Sequence, residues 1–154
     1  MGELKELLDR VDTLTFESEE LEIEADIENL PEVMSFIEKR LEKTDCSLKD
    51  INQISVAAEE IFSNISHYAY APETGAAYIR VETSEDPITV TLTFMDGGMP
   101  YDPLSKEDPD VALSADEREI GGLGIFLVKN IMDDIEYKYE NGKNILILKK
   151  EIQK

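Results

Sequence analysis

Between Leu21 and Ile27 the chain alternates strictly, with Leu21, Ile23, Ala25 and Ile27 set against Glu22, Glu24 and Asp26. A period of two sends successive side chains to opposite faces, so this stretch predicts a half-buried strand. The period then changes. Asn29 stands where a helix cap would, Pro31 fits a first helical turn, and Val33, Phe36, Ile37 and Leu41 recur at helical spacing. After a turn around 44–47, a second and longer helix is predicted from about 48 to about 70. It carries Ile51, Ile54, Ala58, Ile61, Ile65 and Ala69 on one face, and Pro72 and Gly75 end it. Residues 77–83 and 88–94 are rich in strand formers and separated by Ser84-Glu85-Asp86-Pro87, which reads as a hairpin. Residues 97–120 lose all periodicity, and a loop of that length inside a compact domain serves a function or moves. The apolar run 125–131 predicts a buried helix starting at the glycines of 121–124. Residues 135–139 and 145–148 close the chain as strands about Asn141-Gly142, a strong hairpin turn. Segment 4–16 fits either an amphipathic helix or an edge strand. The order strand, helix, helix, two strands, long loop, helix, two strands predicts an α+β two-layer sandwich. Its sheet would be mixed but mostly antiparallel, with helices on one face, in a single domain over 1–154.

Composition narrows the possibilities. The 154 residues are 42% hydrophobic, enough for one core. No apolar run approaches a membrane span, and residues 1–20 are too charged for a signal peptide. Cys46 is the single cysteine, which excludes an intrachain disulfide and fits a reducing cytoplasm. The formal charge is −20, from 35 acidic and 15 basic residues. That field repels nucleic acid and anionic membranes and favours basic protein surfaces.

Three short motifs then stand out. Glu60 and Asn64 are four apart, so on a helix they stack on one face, well away from the stripe of Ile54, Ile61 and Ile65. An Asn oxygen is a hard neutral ligand suited to Mg²⁺, and a carboxylate beside it can take a proton from a nucleophile aimed at a γ-phosphate. Asp96 follows the apolar run 90–94 and precedes Gly97-Gly98. A carboxylate there can accept the exocyclic amine of adenine, while Gly98 lets the backbone approach a flat base. Pro100-Tyr101-Asp102-Pro103 then fixes how the following loop departs. Gly121-Gly122-Leu123-Gly124 opens a helix that continues as Ile125-Phe126-Leu127-Val128. Glycines let backbone amides crowd a phosphate, and a helix N-terminus adds donors and a favourable dipole. Lys106 and Arg118, within the loop, can reach over phosphates. In so acidic a chain, ATP has to be held by a divalent cation, backbone amides and a few such local bases.

With these residues assembled, the chain resembles the GHKL superfamily of Bergerat-fold ATP-binding domains, and within it the bacterial anti-sigma-factor serine/threonine kinases. The likeness runs from about Leu21 to Lys150. Glu60 and Asn64 match the N box, and Asp96, Gly98 and 100–103 match the first glycine box. Residues 121–128 match the second glycine box, and Asn144-x-Leu146-x-Leu148-x-Lys150 resembles the final strand. The resemblance implies that Asn64 coordinates Mg²⁺, that Asp96 binds the adenine amine and that Gly98 and Pro100 shape the base site. It implies that Gly121, Gly122, Leu123, Gly124 and Ile125 form the phosphate site with Arg118, that 104–120 is a lid, and that Glu60 is the general base for a protein serine or threonine. The chain departs from the family four positions past Asn64, where a histidine is usual and Tyr68 stands instead; the only histidine, His67, comes one residue earlier.

The expected function is an ATP- and Mg²⁺-dependent serine/threonine protein kinase that phosphorylates a small antagonist protein and sequesters a sigma factor or similar partner. The alternative is a catalytically silent module whose partner affinity nucleotide sets. The resemblance also implies a homodimer, with segment 1–28 supplying an edge.

Overall fold

The alternation of the N-terminal strand is realised in β1 (Phe16–Glu24), which begins and ends earlier than the pattern suggests. The computed structural model describes residues 16–85, 87–105 and 122–152, so most of segment 4–16 and of the 104–120 lid lies outside the described residues. Past β1, Ala25 is buried and Asp26 caps a short 3-10 turn (Ile27–Asn29) by accepting the Glu28 N–H at 2.9 Å. Helix α1 (Leu30–Glu42) has its proline in the first turn. Asn29 does not cap it with its side chain; Asn29 Nδ2 donates back to the Glu24 carbonyl at 3.0 Å, tying the helix start to the strand end.

Helix α2 (Leu48–Asn64) opens on a capping box. Ser47 Oγ accepts the Asp50 N–H at 3.1 Å, and the Asp50 carboxylate accepts the Ser47 N–H at 3.3 Å. Its inner face is Ile54, Ala57, Ala58, Ile61 and Phe62, all buried. The predicted helix does reach the region of residue 70, but its last turn, Ile65–Ala69, is a wider π-turn.

The remaining elements are β2 (Ala76–Ser84), β3 (Thr89–Asp96), α3 (Gly122–Ile131), β4 (Asp134–Glu140) and β5 (Lys143–Glu151). The sheet order is β1-β2-β3-β5-β4, and among the described residues every pair is antiparallel, so the mostly antiparallel sheet that the pattern predicts contains no parallel pair. The helices explain this. Two helices between β1 and β2 carry the chain out and back, so β2 starts at the end where β1 stopped. The single helix α3 does set β4 parallel to β3, but the Asn141-Gly142 hairpin slots β5 between them. Both turn residues have positive φ, 52° and 75°, as a tight type I′ hairpin requires.

The helices cover one face of the sheet, where Ile79, Val81, Val90, Leu92, Phe94 and Leu148 form the core with α1 and α2. Arg40 of α1 reaches into this layer and donates to Thr83 Oγ1 at 2.9 Å. At the other end, Lys150 Nζ donates to the Ile131 carbonyl at 3.0 Å and closes the C-terminus of α3. Among the described residues no helix is long and apolar enough to cross a membrane.

Candidate functional site

Asp96 is the last residue of β3 and points inward, where it is only 5% exposed. A buried carboxylate needs partners, and two are supplied to one oxygen: Oδ1 accepts the Gly98 N–H at 2.9 Å and Asn144 Nδ2 at 3.0 Å. Asn144 is paired with Asp96 across β3 and β5. Its amide has no bonding capacity left over. Nδ2 also donates to the Met99 carbonyl at 2.8 Å, while Oδ1 accepts the Tyr101 N–H at 3.0 Å and the Tyr137 hydroxyl at 2.5 Å. Asp96 Oδ2 has no protein partner among the described residues, which leaves it as the acceptor for whatever enters. Burial holds the Tyr137 phenol above its usual value of 10.0, the Asp102 and Asp96 carboxylates push it the same way, and the Tyr101 N–H opposes them. Tyr137 therefore stays a donor at neutral pH.

Asn144 is the residue that motif reading passes over, although it lies in the quoted final-strand pattern. Its signal is a polar side chain at an inward position of β5, in line with buried Leu146 and Leu148. A polar residue in such a row is either costly or tied into a network.

The loop after Asp96 is held from its other side by the π-turn. The Met99 N–H donates to the Ala69 carbonyl at 2.9 Å, and the Tyr70 hydroxyl accepts the Gly97 N–H and donates to the Ala76 carbonyl, both at 2.6 Å. Gly98 lies so close to the π-turn that a Cβ there would fall on the Ala69 carbonyl. The side of Gly98 on which a Cβ would stand is thus filled by Ala69. Single π-turns within helices concentrate at functional sites, and this one brings the end of α2 against the loop.

These elements enclose a cleft of about 650 Å³, counting its open mouth. Ile61, Ile65, Phe94 and Leu146 form apolar walls, with Asp96 and Asn64 among the polar lining. Pro100 lines it too, and Tyr68, Met99 and Tyr101 stand exposed at its rim. An apolar-walled cleft with a buried carboxylate suits a heterocycle bearing an amine. Tyr68, 61% exposed, thus sits on the cleft, and His67 beside it is exposed with its ring edge-on to Tyr68 at 6.1 Å.

Asn64, the last residue of α2, is half-buried, and its side chain makes no protein hydrogen bond among the described residues. Glu60, one turn earlier and also half-buried, does not line the cleft; its carboxylate lies against Gly124 in the first turns of α3. Gly122 and Leu123 begin that helix, while Ile125, 5% exposed, belongs to the core. Gly121, Arg118 and Lys106 lie outside the described residues. Among the described residues no three His, Cys, Asp or Glu side chains cluster as a metal cage. The donor set fits Mg²⁺ in one manner only: Asn64 gives one hard oxygen, and phosphates and water give the rest.

The sequence pattern of the histidine kinase-like ATPase domain matches residues 23–150. A serine-protein kinase RsbW from Bacillus cereus (strain AH187) is 27% identical over 138 residues, covering 87% of this chain and 85% of its own. A serine/threonine-protein kinase BtrW from Bordetella bronchiseptica is 32% identical over 95 residues, 62% of this chain and 66% of its own. Among solved structures, the RsbU and RsbW domains of Rv1364c from Mycobacterium tuberculosis superpose with a TM-score of 0.61 at 15% identity, over 88% of this chain and 33% of that one. The SiaB-SiaC complex from Pseudomonas aeruginosa gives 0.56 at 16%, over 99% and 98%. At such identities the two structures speak for the fold alone. The match over residues 23–150 decides the family: this chain belongs to the histidine kinase-like ATPase domains.

Proposed function

We propose that this chain is an ATP-dependent protein serine/threonine kinase of the anti-sigma-factor type, acting in the cytoplasm on a small antagonist-type protein and holding a sigma factor or similar partner. The observation that carries the nucleotide part is Asp96. One of its oxygens is spent on Gly98 and Asn144, and the other is left for an amine in an apolar cleft that Asn64 also lines. Asp96 Oδ2 accepts the adenine amine, and Ile61, Ile65, Phe94 and Leu146 sandwich the ring. Asn64 would hold Mg²⁺, which when bound would supply positive charge beside the phosphates. Glu60 takes the proton from the acceptor hydroxyl as its oxygen bonds to the γ-phosphorus and the bond to the β,γ-bridging oxygen breaks, releasing ADP. Relatives named as serine or serine/threonine kinases support the transfer.

Calorimetric titration of ATP with and without Mg²⁺, on the protein and on Asp96→Asn, tests the cleft. Mg-dependent binding that weakens by about 100-fold in the variant is expected, since a buried acceptor is replaced by a donor facing a donor. Equal binding by both removes the base site. Phosphorylated serine or threonine should then appear on an acceptor protein incubated with labelled ATP, and Glu60→Gln should abolish it while keeping ATP affinity. A second reading rests on Tyr68 at the rim of the cleft, in place of the family's histidine. Tight ATP·Mg binding with no phosphoprotein on any acceptor would favour that silent, nucleotide-set binding module.

The expected homodimer meets one obstacle. Among the described residues β1 lies at the sheet edge, within the segment 1–28 proposed to supply one, but Glu20, Glu22 and Glu24 crowd it. Two such edges repel each other, so a dimer needs another face. The mass in solution at micromolar protein decides it.

A further inference from the structure

Gly124 sits in the third position of α3, with no positive φ to require a glycine. Glycine is a poor helix former, so something else must select it there. The reason is steric. A Cβ on Gly124 would fall on the Glu60 carboxylate, with Oε2 at 2.6 Å and Cδ and Oε1 nearer still. The α2 and α3 helices pack directly, with Ala57 and Ile61 of one and Ile125 and Val128 of the other buried around this contact. The atoms met are the far end of the Glu60 side chain, so the carboxylate is the group that must move. The Glu60 side chain makes no hydrogen bond among the described residues, so among them only packing against α3 sets where its carboxylate lies. Both oxygens keep their lone pairs for an incoming hydroxyl.

The geometry points to Gly124 as a positioning residue for Glu60 rather than only a phosphate-cradle glycine. Its missing side chain is the seat of the carboxylate. The helix start that would hold phosphates and the group that would deprotonate the acceptor are therefore fixed to one another. This inference deepens the kinase reading above and rests on it for its catalytic consequence, though not for the contact itself.

The test is Gly124→Ala, read in three ways. ATP·Mg affinity by calorimetry should stay within about 3-fold, because an alanine in a helical conformation keeps the amide in place. Hydrolysis of ATP, in which water takes the place of the acceptor hydroxyl and inorganic phosphate is released, is followed by phosphorus NMR. It should slow by ~30-fold or more, short of or up to the ~10²–10⁴-fold that a general base contributes. Shortening the carboxylate in Glu60→Asp/Gly124→Ala should restore part of that rate, which a purely structural role would not do. Where Gly124→Ala is too unstable to assay, Glu60→Ala/Gly124→Ala should melt at or above the single variant, since the clash is then gone. Equal loss of affinity and rate in Gly124→Ala, or no change in either, overturns the inference, as does a double variant that melts lower still.

Where the parent protein binds ATP without hydrolysing it, the rate comparison has no baseline and the kinase reading is decided by the acceptor-protein assay above. The seat is then read from the carboxyl carbon resonance of Glu60, assigned with Glu60→Gln. That resonance should move in Gly124→Ala, and an unmoved one rejects the seat.

Discussion

At the Asp96 end of the cleft four hydrogen bonds converge on Asn144, whereas at the Asn64 end the side chains of Asn64 and Glu60 have no hydrogen-bonding protein partner among the described residues. The first end is rigid before anything binds. A flat, neutral heterocycle brings little binding energy of its own, so its acceptor must already be aimed. The second end is left with open oxygens. Phosphates and a metal ion carry their own charge and ligands, so there the protein supplies few groups and keeps them free of internal bonds. One site thus divides into a part that pre-forms and a part that its ligand completes.

Breaking the rigid end should have the largest effect. Asn144→Leu matches the apolar row of Leu146 and Leu148 but leaves the Met99 carbonyl and the Tyr137 hydroxyl without the amide they bond, and takes one donor from the buried Asp96 carboxylate. Orphaning groups of this kind costs about 1–3 kcal/mol each, and partial rehydration at the cleft brings the sum to about 4 kcal/mol. Chemical denaturation would read it, with ATP affinity falling in parallel. A loss under about 1 kcal/mol would mean that the network is ornamental.

Gly98→Ala comes next. Its Cβ would meet a backbone carbonyl, that of Ala69, which cannot move without dragging the π-turn and the Met99 hydrogen bond. We expect about 3 kcal/mol of destabilisation by denaturant titration, at the upper end for overpacking. The same change at Gly97 meets the flexible end of the Lys143 side chain at 3.2 Å and the Tyr70 hydroxyl at 3.4 Å, and should cost far less.

Much of this was legible in the residues, and the gaps have physical causes. Strands, helices and the Asn141-Gly142 turn follow from periodicity and local turn chemistry, so they emerge in order. The all-antiparallel pairing does not, because it depends on which strand β5 sits beside, a tertiary fact. Asp96 and Asn64 were legible as motif residues and line one cleft. Asn144 was not named for the site, because one polar residue in a strand carries no motif; only its register opposite Asp96 gives it meaning. Gly98 and Gly124 were legible as glycines needing close approach, yet not what approaches them. That is Ala69 in one case and Glu60 in the other, both distant in sequence.

Tyr137→Phe removes one donor from the network and keeps the ring. It should cost about 1 kcal/mol, the net value of a single hydrogen bond. Its pH dependence sharpens the point. Because the folded phenol is held above 10.0, its contribution is full below that value and is lost as pH rises through the higher folded one. The stability difference between the two proteins should therefore be flat through neutral pH and shrink only in strong alkali. A difference that already fades near neutrality would show another titrating group at work.

The smallest change in stability is expected where the cleft is unfinished. Asn64 sits at the C-terminal end of α2 with no protein hydrogen bond from its side chain among the described residues, so Asn64→Ala breaks nothing within the fold and places a better helix former there. Its stability should stay within about 0.5 kcal/mol of the parent. Its ligand behaviour should not. ATP affinity without Mg²⁺ should be unchanged, and the gain on adding Mg²⁺ should vanish, because the one protein oxygen offered to the metal is gone. The two titrations separate the ends of the cleft cleanly: a variant that also binds metal-free ATP poorly has disturbed the base end. If Asn64→Ala instead unfolds more easily by over about 1 kcal/mol, the phosphate end is bonded into the fold no less than the Asn144 network. The division between a pre-formed base site and a ligand-completed phosphate site would then fail.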